Sequence, residues 1–175
     1  MKPYYILIIL SGLLLGCSQN SGTDRPDKTS EKKIRKQVSA VAEKYLMSQL
    51  KEPEKKITEN GLVTIGDDQK MYVIEPSKIF TGLIDDDLKK DAIVSVSTFQ
   101  GQFQTVSEQL IILKSEDGFR LATSVESDMR IISLKDRIIT ADVPEHSRNT
   151  PLFNCPSCWE VVKYTFKMGE FVEVE

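Results

Sequence analysis

Apolar positions change their spacing three times along the chain. From Tyr4 to Leu15 they run almost unbroken (YYILIILSGLLL), and from Ser18 to Ser30 no large apolar side chain occurs. Between Ser30 and Leu50 they recur every three or four residues, at Ile34, Val38, Val41, Ala42, Tyr45, Leu46 and Leu50. That period predicts one amphipathic helix over 30–50. Ser30 suits its N-cap, Glu31 complements the dipole at the first turn, and Lys51-Glu52-Pro53 ends it. The opposite face carries Lys33, Arg35, Lys36, Glu43 and Lys44. It reads as a solvated helix surface, with a binding patch as the alternative.

After Gly61 the period falls to two, the spacing of a half-buried strand. Leu62–Ile65 and Lys70–Ile74 flank Gly66-Asp67-Asp68, a turn signal. Ala92–Thr98 is rich in β-branched residues. Glu108–Lys114 and Phe119–Val125 flank Glu116-Asp117-Gly118 and form the clearest hairpin. Met129–Leu134 with Arg137–Ala141, and Trp159–Lys167 with Phe171–Val174, predict two more. Tight turns leave no room for the crossovers that parallel strands require. The expected fold is α+β: one N-terminal amphipathic helix packed on a curved antiparallel β-meander that buries one face. A single domain over 31–175 follows.

The apolar run at the N-terminus changes the picture of where this domain sits. Twelve helical residues rise about 18 Å, too short for a hydrocarbon core of about 30 Å. With Lys2 before it, the run reads as the h-region of a signal peptide. It ends in Leu14-Leu15-Gly16-Cys17. This resembles the lipobox of bacterial lipoproteins. The resemblance implies a signal peptide over 1–16, cleavage before Cys17 and a diacylglyceryl group on its thiol. It further implies a bacterial cell-envelope location, anchored to a membrane, with the domain outside the cytoplasm. A covalent lipid on Cys17 supplies the two or more chains that stable anchoring needs. Residues 17–30 then form the lipidated, flexible tether, too polar to bury a core.

Charge adds an exclusion. The chain holds 23 basic and 26 acidic residues, and the segment 17–175 holds 22 and 26. No basic excess points to nucleic acid. The expected partners are the membrane, through the lipid, and an unidentified protein or small ligand.

Two stretches invite chemistry. Asp85, Asp87 and Asp91 precede the strand at Ala92. The stretch resembles the short calcium loop of FG-GAP or VCBS-type segments, D-x-D-x-D-G-x-x-D. The three acids fall on its third, fifth and ninth positions. Leu83 stands at the first ligand position and Leu88 at the turn glycine. The expectation is therefore an acidic turn without metal, lacking a ligand and the sharp bend, with these three acids as the calcium candidates. Over residues 75–175 the chain also resembles uncharacterised bacterial lipoprotein domains with a degraded stretch of this kind. That resemblance implies a binding or structural module without enzyme activity.

The second stretch is Cys155-Pro156-Ser157-Cys158. With Cys17 lipidated these are the remaining thiols, and outside the cytoplasm they are expected to form a disulfide. The alternative is an extracytoplasmic thiol–disulfide oxidoreductase, whose Cys-x-x-Cys would open a helix. A zinc site would need four ligands, and only His146 is near. His146, with Ser147 and Asp142 nearby in sequence, could serve a hydrolase only if a cleft assembled them. No catalytic residue is expected.

Overall fold

A computed structural model describes residues 28–101, 103–144 and 159–174. Among the described residues it contains one helix, α1 (Lys28–Ser48), followed by strands. These are β1 (Glu54–Ile57), β2 (Val63–Gly66), β3 (Lys70–Gly82), β4 (Asp91–Gln100), β5 (Phe103–Ser115), β6 (Gly118–Glu126), β7 (Arg130–Lys135), β8 (Ile138–Pro144), β9 (Trp159–Lys167) and β10 (Glu170–Glu173). The α+β class holds, with strands predominating.

The strands form two sheets rather than one. The first has order β1-β2-β3-β4-β5-β6, and the second has order β10-β9-β8-β7. Every neighbouring pair is antiparallel, so each sheet is a meander of consecutive strands.

This division revises the expectation of one buried face. On β4, Ala92, Val94 and Val96 belong to a cluster with Val38, Ala42 and Leu46 of α1 and Leu110 and Ile112 of β5. Ile93 and Ile111, one residue out of step, belong to a second cluster with Ile131, Ile139 and Ala141 of the second sheet. Successive side chains point to opposite faces, so β4 and β5 are covered on both. That is why Ala92-Ile93-Val94 and Leu110-Ile111-Ile112 read as unbroken apolar runs. Each fully buried aliphatic side chain contributes about 1.5–3 kcal/mol.

α1 begins at Lys28, so Ser30 sits within its first turn rather than at the cap. The last residues assigned to the tether, 28–30, belong to the helix. Arg35 anchors this end: Nη2 meets Glu31 Oε1 at 2.9 Å, and Nη1 donates to the Pro76 carbonyl at 3.0 Å. Pro76 lies where the β3–β4 register breaks between Ile74 and Ile79. A proline cannot donate to the ladder, and a break is where a sheet tolerates one. At the other end of α1, the Tyr45 hydroxyl lies 3.0 Å from both Glu108 Oε1 and Ser124 Oγ.

Candidate functional site

The acidic segment joins β3 to β4, between Gly82 and Asp91. Asp91 is fully buried and holds two elements together. Its Oδ2 accepts from the Ile84 N–H at 3.0 Å, and its Oδ1 accepts from the Lys114 N–H at 2.8 Å. Burial pushes its carboxyl above the usual range, while the two N–H bonds pull the other way. Asp85 is half-buried, and its Oδ1 accepts from the Asp87 N–H at 3.0 Å. Asp87 is exposed; its Oδ1 accepts from the Lys89 N–H at 2.8 Å, and its Oδ2 lies 3.6 Å from Lys89 Nζ. The Lys89 N–H bond is the main reason the Asp87 carboxyl sits below the ordinary range.

The structure brings the three sequence candidates together. Asp85, Asp87 and Asp91 each offer one carboxylate oxygen, and those atoms lie within 4.8 Å of one another. The expectation that Leu88 denies the loop its bend is corrected. Leu88 adopts φ 60°, the left-handed conformation that the calcium-loop pattern reserves for glycine. A leucine there carries a backbone cost of about 1–2 kcal/mol. Three carboxylate oxygens are at most half of the six to eight that calcium takes, and Asp91 already spends an oxygen on each of two N–H groups.

Arg137 crosses from the second sheet to this loop. Its Nη1 lies 2.7 Å from Asp86 Oδ1, and its buried Nε has no hydrogen-bond partner among the described residues. Asp136 and Arg137 have φ of 50° and 65°, the two positive values of the tight turn between β7 and β8.

Surface concavities occur among the described residues, one of them beside the acidic loop. A hollow of about 490 Å³ is lined by Ile34 and Gln37 of α1, Lys89 and Lys90 of the acidic loop, and Lys114 and Phe119 of the β5–β6 hairpin. Lys114 Nζ stands 4.6 Å over the Phe119 ring. Glu116 contributes the one carboxylate of its lining. A second, more polar groove of about 540 Å³ lies along β1 and β2, lined by Glu54, Lys56, Asp67, Asp68 and Met71 among others. Asp67 is committed there to the N–H groups of Gln69 and Lys70, each at 2.9 Å, which hold its carboxyl below the usual range.

The lysine-lined hollow was not legible in the sequence. It joins three elements far apart in the chain, and no local spacing announces it. Cys17, Cys155, Cys158, His146 and Ser147 lie outside the described residues. Asp142 is half-buried on β8, opposite Arg130 and Val161. β9 starts at Trp159, directly after Cys158. The Trp159 ring packs 3.8 Å from the Arg130 guanidinium. Among the described residues no helix is long and apolar enough to cross a membrane.

Comparison of the chain with protein-family profiles, with curated proteins and with solved structures finds no match in any of the three.

Proposed function

We propose that this chain is a membrane-anchored envelope lipoprotein of bacterial type. In this reading Cys17 carries the lipid, and the residues after it form a non-enzymatic binding or structural module outside the cytoplasm. The helix lies on a curved antiparallel meander. The observation that carries the reading is the run Leu14-Leu15-Gly16-Cys17 at the end of a 12-residue apolar segment. Its spacing from the fold supports it, since α1 begins at Lys28 and only ten residues intervene. The anchor and the folded part are thus close neighbours in the chain without overlapping. The wet-facing helix supports it too: α1 exposes Lys32, Lys33 and Lys36 and is no candidate for a span.

The membrane is the first partner, and a protein or small ligand taken outside the cytoplasm is the second. Cys155 and Cys158 form a disulfide that pins the chain before β9. A strand starting at Trp159 favours this role over an oxidoreductase, because a reactive Cys-x-x-Cys draws its low thiol pKa from a helix N-terminus.

Fractionation of cells fed labelled palmitate tests the proposal. The natural chain is expected in the membrane fraction and labelled. Cys17→Ser is expected to be unlabelled and unprocessed at that position. A variant that labels and partitions like the natural chain would overturn the anchor.

A further inference from the structure

The first nine residues of α1, 28–36, hold five basic residues (Lys28, Lys32, Lys33, Arg35 and Lys36) and one acid, Glu31. The remaining 166 residues hold 18 basic and 25 acidic, so the basic charge is concentrated where the chain emerges from the N-terminal segment. Lys32, Lys33 and Lys36 are exposed, while Arg35 is turned aside to Glu31 and Pro76. On the same stretch of helix, Ile34 and Gln37 border the hollow that also takes Lys89, Lys90 and Lys114. Leu88, 74% exposed, stands next to Lys89. Lys89 is offset by Asp87, and Glu116 is the carboxylate of the lining. Lys33, Lys36, Lys90 and Lys114 form no ion pair among the described residues.

We propose that this basic end of α1, with Lys90 and Lys114 beside it, lies against the anionic headgroups of the membrane that holds Cys17. The inference rests on the lipid-anchor reading and deepens it by naming the face of the domain that meets the bilayer. Chain length gives the first argument. From Cys17 to Lys28 is eleven residue steps, at most about 40 Å fully extended, so the start of α1 stays within that reach of the anchored residue. Charge gives the second. A cluster of lysines near a cytoplasmic-type or any other anionic leaflet is attracted to it within a Debye length of about 8 Å, while the acidic remainder is repelled. The two effects act together to orient the domain, with the basic end inward and the acidic bulk outward. The half-buried Phe119 and Ile34 of the hollow supply apolar contact there.

Lysine footprinting of the lipid-bearing protein tests this. The protein is isolated from membranes and reconstituted into vesicles of phosphatidylcholine alone or with about one third phosphatidylglycerol. It is then acetylated briefly and read residue by residue by mass spectrometry. Lys33, Lys36, Lys90 and Lys114 are expected to lose at least threefold in labelling in the anionic vesicles, relative to Lys163 and Lys167. The loss should vanish in the neutral vesicles and at about 1 M salt, where the Debye length is about 3 Å. Lys33→Glu with Lys36→Glu, both at exposed helix positions, should abolish the protection at Lys90 while the protein stays vesicle-bound. Equal labelling in both vesicle types, with the protein bound to both, would overturn the docking and leave the anchor standing. Failure to associate with either vesicle would overturn both. Protection seen in whole cells but in neither vesicle would assign the patch to a protein partner and also overturn the proposal.

Discussion

Gly82 and Leu134 fix the distance between the two sheets at one corner. A Cβ on Gly82, the last residue of β3, would stand 2.8 Å from Leu134 Cγ and 3.1 Å from the Leu134 carbonyl oxygen on β7. The side chain could swing away, but the carbonyl belongs to a strand. Gly82→Ala is expected to cost about 1–3 kcal/mol through overpacking. Leu134→Ala in the same background should recover part of that cost, giving non-additivity in denaturant midpoints. Simple addition of the two single-variant costs would contradict this contact.

Leu88 tests the backbone of the acidic loop. It holds φ 60° with its side chain 74% exposed, so it gains little from burial in return for the strain. Leu88→Gly is expected to stabilise the domain by about 1 kcal/mol, measured by urea unfolding at fixed slope. A destabilised variant would mean that the leucine side chain is held by contacts in solution.

The sequence made much of this fold readable, and the reasons for the gaps are physical. Ala92–Thr98 marks β4 through its β-branched run, and Glu108–Lys114 marks β5 through the turn signal Glu116-Asp117-Gly118 that follows it. β1 carries no strand signal in the sequence, because Glu54–Ile57 is exposed along its whole length and shows no alternation. The period of two covers only Lys70–Ile74, whereas β3 continues past a register break between Ile74 and Ile79 to Gly82. The split into two sheets left no mark. Ser127-Asp128-Met129 between β6 and β7 resembles any hairpin turn, and period two does not say which strand a face will cover. At the candidate site, local spacing grouped Asp85, Asp87 and Asp91. The Lys114 N–H that engages Asp91 comes from 23 residues away and was invisible.

Asp91 carries a pH signature. Its carboxyl is raised by burial, so the folded state holds the proton more tightly than the unfolded chain. Stability from this group is therefore greatest below the unfolded value of about 3.9 and falls as pH rises through the folded value. Asp67 and Asp87 act in the opposite sense, since their lowered carboxyls add stability above that pH and lose it on acidification. Asp91→Asn should remove the first effect, so that stability in the variant rises more steeply as pH climbs above the unfolded value of about 3.9. At pH 7 it should still cost about 1–3 kcal/mol, because one amide oxygen cannot serve both the Ile84 and Lys114 N–H groups. An unchanged pH profile would contradict the assignment.

The cysteine pair before β9 separates a structural bond from a catalytic one. A disulfide between Cys155 and Cys158 that pins the turn should have a reduction potential below about −300 mV against glutathione. Its removal by Cys155→Ala with Cys158→Ala should cost roughly 2 kcal/mol with the fold retained. A potential of about −120 to −200 mV would move the protein to the oxidoreductase class.

The account stands most directly on Cys17. The decisive measurement is the mass of the N-terminal peptide of the protein isolated from membranes. It should begin at Cys17 and carry a diacylglyceryl group on sulfur, with or without a further acyl chain on the new amine. A peptide that begins elsewhere, or one that begins at Cys17 with a free thiol, would contradict the account.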